Sequence, residues 1–247
     1  MSRNFIIIAL ALLLPLRSFS QERIVQNRPY TDLRPFHFGI HVGTHMQDME
    51  FINSGPVSIT GEDGTVTTSH ISCDQDRMDP GFNVGVLGEV RLSEFFQLRI
   101  APAIYFGSRH LSFFNHTEST TETTVTKNQD MKTAYVMTSL DLIFAAPRLN
   151  NHRVYVMAGI APALNLTGKA DDCVLLKKYN TFVELGFGID EYLPYFKCRP
   201  ELKFMFGLGN SLDTDHPNGL RDLNLVKYAR SVSEAHAKMI TLTFYFE

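Results

Sequence analysis

Apolar and polar residues alternate one for one in eight separate stretches of this sequence, and the connections between them are alternately short and long. Together these two features constrain the fold more than any motif does. Period-2 alternation describes strands with one face in an apolar environment and the other in a polar one. The stretches centre on Phe36–Val42, Phe82–Arg91, Phe96–Arg109, Thr133–Phe144, Arg153–Leu166, Val183–Asp190, Lys197–Leu208 and Met239–Phe246. Tight turns fall at Ser93-Glu94, at Asn150-Asn151, which tolerates the positive φ of a type I′ turn, and at Tyr192-Leu193-Pro194. The other four connections, roughly 53–80, 116–131, 168–180 and 211–233, are long and polar. A soluble sandwich has no reason to sort its loops by length. An outer-membrane barrel does, with short periplasmic turns on one rim and long extracellular loops on the other. The expectation is an all-β fold, an eight-stranded antiparallel transmembrane β-barrel with both termini periplasmic.

The final stretch, MITLTFYFE, then has a purpose. A barrel in lipid leaves no open edge, so the last strand must pair with the first. Ile240, Leu242, Phe244 and Phe246 would face lipid. The aromatic end resembles the signal read by the barrel-assembly machinery in many such proteins, although Glu247 follows the last Phe.

At the other end, Arg3, an apolar run from Phe5 to Leu14 and the triplet Ser18-Phe19-Ser20 have the order of a secretory signal peptide, with cleavage expected after residue 20. Beyond it no run approaches the ~18 apolar residues of a spanning helix. The mean hydropathy of -0.07 suits a barrel, whose two faces average out. A net charge of -3 gives no reason to expect a nucleic-acid partner. The expected organisation is a signal peptide at 1–20, a periplasmic segment at 21–35 and a barrel at 36–247.

The inward parity carries Glu89, Arg91, Arg99, Asp141, Glu184, Arg199, Glu201 and Lys203. Both signs are present, so a structural salt-bridge network inside the barrel is expected. Eight strands leave room for side chains but little for a pore. His37, His41 and His45 lie four residues apart on one strand, about 13 Å between successive members, and cannot share an ion. The carboxylate pairs Glu62-Asp63 and Asp171-Asp172 fall in loops and lack the spacing of a calcium loop. No metal, cofactor or catalytic residue is assigned. His110, Ser112 and Asp141 form a triad only on paper, and no nucleophile-elbow, zincin or phosphate-loop motif occurs. Cys73 and Cys173 could pair in an exported chain, with free thiols the alternative. Pro102, Pro162 and Pro200 interrupt three strands, where a bulge is expected to absorb each one. The polar tract 118–130 reads as a mobile loop. In the stretch from Asn218, Leu220, Leu223, Val226 and Tyr228 would share one side of a short helix, either a docking surface or a lid.

The leading phrase Pro35-Phe36-His37-Phe38-Gly39, behind a polar segment, resembles the start of the barrel in the PorT family of Bacteroidetes outer-membrane proteins. The phrases PAIYFG and PELKFMFG fit the wider barrel families of that phylum. The resemblance implies a non-enzymatic barrel in the outer membrane that supports the type IX secretion system through protein contacts. Outer-membrane lipid, the barrel-assembly machinery and other secretion components would be its partners. Two other readings are an OmpX-like surface barrel whose loops bind ligands or host surfaces, and a lipid-modifying barrel with a His, Ser and acid converging at the rim.

Overall fold

The computed structural model describes residues 26–27, 30–60, 65–117, 125–168, 172–220 and 222–247. The candidate signal peptide, Glu62-Asp63, Asp171 and the tract 118–124 lie outside them. Ten strands are present among the described residues: β1 Phe36–Asn53, β2 Pro56–Thr60, β3 Val66–Met78, β4 Pro80–Arg91, β5 Phe96–Asn115, β6 Val125–Ala145, β7 His152–Asn165, β8 Tyr179–Tyr192, β9 Lys197–Gly207 and β10 Val232–Phe246. One helix, α1 Leu223–Ala229, precedes the last strand.

Antiparallel pairing runs β1–β4–β5–β6–β7–β8–β9–β10 and returns from β10 to β1, a closed ring. The seam sets Ile40 opposite Phe246, Val42 opposite Phe244 and Thr44 opposite Leu242. The phrase Pro35–Gly39 pairs with the end of β4 and leads into this seam. The Pro35 carbonyl accepts from the Arg91 N–H at 2.9 Å, and His37 Nδ1 lies 3.3 Å from the Glu247 carboxylate. A Cβ on Gly39 would stand 2.1 Å from the Phe246 carbonyl oxygen, so only glycine lets the closing strand come this near.

Outside the ring, β2 and β3 form a hairpin that extends the sheet along β5, from Ile71 opposite Asn115 to Met78 opposite Arg109. The periodicity placed a loop here because PVSIT and VTTSHISCDQDRM have little hydropathy contrast between their faces. For the same reason β5 runs to Asn115 and β6 starts at Val125, so strand takes the last part, 125–131, of the expected 116–131 loop. At the short turn, Asn150 alone takes a positive φ, 55°, rather than both residues as a type I′ turn requires.

The strand prolines are accommodated without bulges. Pro102, Pro162 and Pro200 pair with Thr138, Thr181 and Phe244 on one side. On the other side the ladder drops two pairings and resumes in the same register, as between Gly85 opposite Ala103 and Gly88 opposite Ile100. The β6–β7 and β8–β9 ladders break and resume in the same way. An antiparallel residue directs its N–H and C=O to the same neighbour. The missing proline N–H therefore weakens one ladder and leaves the other whole.

Outward residues form an apolar belt. It includes Phe36, Phe38, Ile40, Val42 and Met46 on β1 and Phe96, Leu98, Ile100, Ile104 and Phe106 on β5, all exposed. Six outward positions cover ten residue steps, about 34 Å of strand and, at a ~40° tilt, about 26 Å of membrane. Above the belt the outward positions turn polar: Asp48 and Glu50 on β1, His110 on β5, Lys132 and Asp130 on β6, Lys238 and His236 on β10.

Candidate functional site

The ring's interior is filled by side chains in two storeys. In the storey nearer the short turns Arg99 Nη1 meets Glu201 Oε2 at 2.7 Å, its Nε meets Glu89 Oε2 at 3.4 Å, and Asp141 stands 4.0 Å away. Arg199 reaches Glu89 at 2.8 Å. Lys203 Nζ lies between Glu184 at 3.2 Å, Asp141 at 3.6 Å and Glu201 at 3.7 Å. The Tyr155 hydroxyl donates to Glu201 at 2.8 Å and the Ser139 hydroxyl to Glu184 at 3.0 Å. The Arg99 guanidinium also lies 4.2 Å over the Tyr245 ring. Glycines make room for these groups: a Cβ on Gly159 would meet Asp141 Oδ1 at 2.3 Å, and one on Gly188 the Tyr155 hydroxyl at 2.4 Å.

Seven of the eight charges expected inside are buried there. Arg91 is not. It ends β4 at the mouth, where its guanidinium donates to the carbonyls of Ser93 at 3.2 Å and Leu33 at 3.5 Å.

The network extends beyond those residues. Asp190 pairs with Arg148 at 2.7 Å, Arg153 at 2.7 Å and Lys197 at 3.2 Å. Asp32, ahead of β1, pairs with Arg148 at 2.7 Å and Arg153 at 3.4 Å. Glu247 joins the two groups through Lys197, at 3.1 Å, and Arg199. Arg153, Asp190 and Lys197 carry the inward parity of their strands and were legible on that ground. Asp32, Arg148 and Glu247 lie off the strands, where parity is silent. Burial raises the Asp32 carboxyl pKa, but Arg148, Arg153, Tyr192 and Lys197 outweigh it and hold the group below its ordinary value.

The three histidines of β1 part company. His37 meets Glu247, the His41 ring lies 4.9 Å from that of Tyr245, and His45 bonds Gln47 at 2.9 Å. Thr133 donates to Gln47 at 3.0 Å. Among the described residues, no three His, Cys, Asp or Glu side chains are placed to share a metal ion.

The storey toward the long connections is mostly apolar, with Arg109 buried in it and donating to the Tyr135 hydroxyl at 3.1 Å. Met49, Tyr105, Met137, Phe182, Met205 and Met239 are buried within it, and Leu111, Phe113, Val174 and Leu212 continue the cluster above the belt. Helix α1 closes the top as a lid rather than a free docking face. Tyr228 packs edge-on against Phe113, with ring centroids 5.3 Å apart, Val226 is buried, and Asp222 caps the first turn through the Asn224 N–H. Leu220 lies outside the helix. Cys73 and Cys173 are both buried in this cluster, each as a free thiol. Burial pushes both thiols above their usual pKa.

The paper triad does not assemble. His110 bonds Asp130 and Ser112 donates to Asp76 at 3.1 Å and Asn128 at 3.2 Å, all above the belt. Asp141 lies eleven residues further along β6 than Asp130, about 37 Å of strand.

A family model described as outer membrane protein beta-barrel domain matches residues 19–213. No curated protein matches the chain in sequence. Solved barrels similar to it include OprG from Pseudomonas aeruginosa, with 10% identity, 85% of this chain and 95% of that chain covered and a TM-score of 0.44. Ail of Yersinia pestis gives 12% identity, 86% and 99% coverage and a TM-score of 0.36. Neisserial surface protein A gives 10%, 86% and 98%, and 0.37. Below a TM-score of 0.5 these likenesses carry no argument about what this chain does.

Proposed function

This chain belongs to the outer membrane protein β-barrel domain family, and from that premise we propose a non-conducting, non-enzymatic barrel that supports protein secretion by the type IX system through contacts at its two faces. One observation carries the non-conducting part: side chains fill the ring from mouth to mouth, ion pairs below and an apolar cluster above. With no conduit, function falls to the periplasmic mouth and the extracellular crown. The secretion role draws its support from the PorT-like phrase Pro35–Gly39. Other secretion components, outer-membrane lipid and the assembly machinery are the partners of this reading.

The test is a clean deletion in the source bacterium, followed by blotting of a cargo with a type IX sorting domain. Cargo trapped unprocessed in the periplasm and rescued by the wild-type gene supports the role. Normal secretion, with the barrel present in wild-type outer membranes, removes it. A second reading, a surface barrel that binds ligands outside, is favoured by the folded crown of β2, β3 and α1, since a structured crown can present a fixed surface. Its test is whether deletion of the β2–β3 hairpin abolishes adhesion while cargo secretion persists.

A further inference from the structure

The segment before β1 crosses the full width of the periplasmic mouth. Around the ring β7 is four strands from β1 in either direction, so the two face each other across the barrel. Asp32, four residues ahead of β1, reaches Arg153 on β7 and Arg148 in the turn before it. Arg148 grips the carboxylate with two nitrogens, Nε to Oδ2 at 2.7 Å and Nη2 to Oδ1 at 3.2 Å, the fork geometry that selects a carboxylate. Lys197 stands 3.9 Å away, and the Asp32 N–H donates to the Tyr192 hydroxyl at 3.1 Å. Further along, the Asn27 N–H donates to Asn151 Oδ1 at 2.9 Å.

The seat is built without the segment that fills it. Arg148, Arg153 and Lys197 are each held by Asp190. The Arg148 guanidinium also lies 3.6 Å over the Tyr192 ring. Three cations converge there, and the barrel wall supplies them directly with the Asp190 carboxylate, plus Glu247 for Lys197 alone. The remaining carboxylate comes from the strap. Within the strap Thr31 is buried beside Asp32, whereas Tyr30 is 78% exposed, in a left-handed conformation with φ 65°, and Leu33 is 57% exposed. A preformed seat whose occupying side chain is 22% exposed at the mouth is within reach of a competing carboxylate.

We propose that residues 30–35 are an internal ligand, with Asp32 occupying a carboxylate-binding seat of Arg148, Arg153 and Lys197 that an acidic peptide segment of a periplasmic partner takes over. This rests on the reading that the protein acts through contacts at its faces. Displacement frees the strap and couples occupation of the mouth to the start of β1 at the seam.

The probe is a labelled peptide copying residues 30–36, tested with its Asp and Asn forms on the full chain refolded in detergent micelles. Asp32→Ala is expected to bind the Asp peptide at least about tenfold more tightly than the Asn peptide, the size of one lost charged hydrogen bond. Asp32→Ala combined with Arg148→Gln should lose that preference. Equal binding of the two peptides, or none to Asp32→Ala, overturns the proposal. Wild type provides a second readout should the variant not refold: excess Asp peptide, but not Asn peptide, should speed amide exchange at residues 30–35, and no difference overturns it. Because the assay uses purified protein, normal cargo secretion in the deletion strain would remove the secretion role and leave the seat standing.

Discussion

Below His41 the interior is held by six cations, Arg99, Arg148, Arg153, Lys197, Arg199 and Lys203, paired with seven carboxylates. Above His45 it is held mainly by methionines, tyrosines and phenylalanines, with Arg109 buried against Tyr135 as the one buried cation there among the described residues. The two halves share one ring and one problem, filling a narrow tube, and solve it with interactions of different reach. An ion pair taken out of water depends on partners placed to within tenths of an ångström, and a lone buried charge is costly. Apolar packing is non-directional, and flexible methionines fill irregular gaps. The lower half should fail abruptly when a single group is removed. The upper half should weaken in proportion to the volume lost.

The largest expected effect comes from Arg99→Ala. It leaves Glu89, Glu201 and Asp141 with fewer cations and should destabilise the barrel by about 3–5 kcal/mol. Met205→Ala in the upper half should cost less, about 2–4 kcal/mol, through lost contacts and a partly collapsed cavity. The chain has no tryptophan, so urea titrations in lipid vesicles followed by circular dichroism are the suitable readout for both. A smaller cost for Arg99→Ala than for Met205→Ala would break the comparison.

Asp32 gives a pH-dependent case of intermediate size. Its folded pKa lies below the ordinary 3.8, so its contribution is present above that value and is lost as pH falls through the lowered folded pKa. Asp32→Asn should cost about 1–2 kcal/mol at neutral pH, and the gap to wild type should close under acid. A gap that stays constant to low pH would show that Asp32 does not act as a charged partner. The smallest effect is expected from Pro102→Ala, less than about 1 kcal/mol of either sign. The freed N–H can rejoin the β4 ladder, while the unfolded chain gains freedom. A large loss there would mean that the proline does more than drop one bond.

These contrasts also explain what the sequence could tell. The outward face was legible, because lipid demands apolar side chains, which hold every second position from Phe36 to Val42 and from Phe96 to Phe106. Inside, strand charges such as Glu89, Arg99 and Lys203 stood out against that pattern. The apolar upper storey did not: Met205 and Phe182 sit on the polar parity of their strands, where periodicity reads them as noise. The β2–β3 hairpin lies above the membrane with polar residues on both faces, so nothing in its hydropathy separated it from a loop. Asp32 was hidden for a different reason. Its role depends on the strap meeting the strand opposite, a long-range contact that no local pattern encodes.

The central claim is that the ring is filled and that function lies at its faces. Planar-bilayer recording of the refolded wild-type protein tests it most directly. The filled interior predicts a quiet trace, without stable conductance steps across the voltage range in which the bilayer itself holds. Reproducible open steps from folded protein would contradict the claim and return the lumen to consideration as a path.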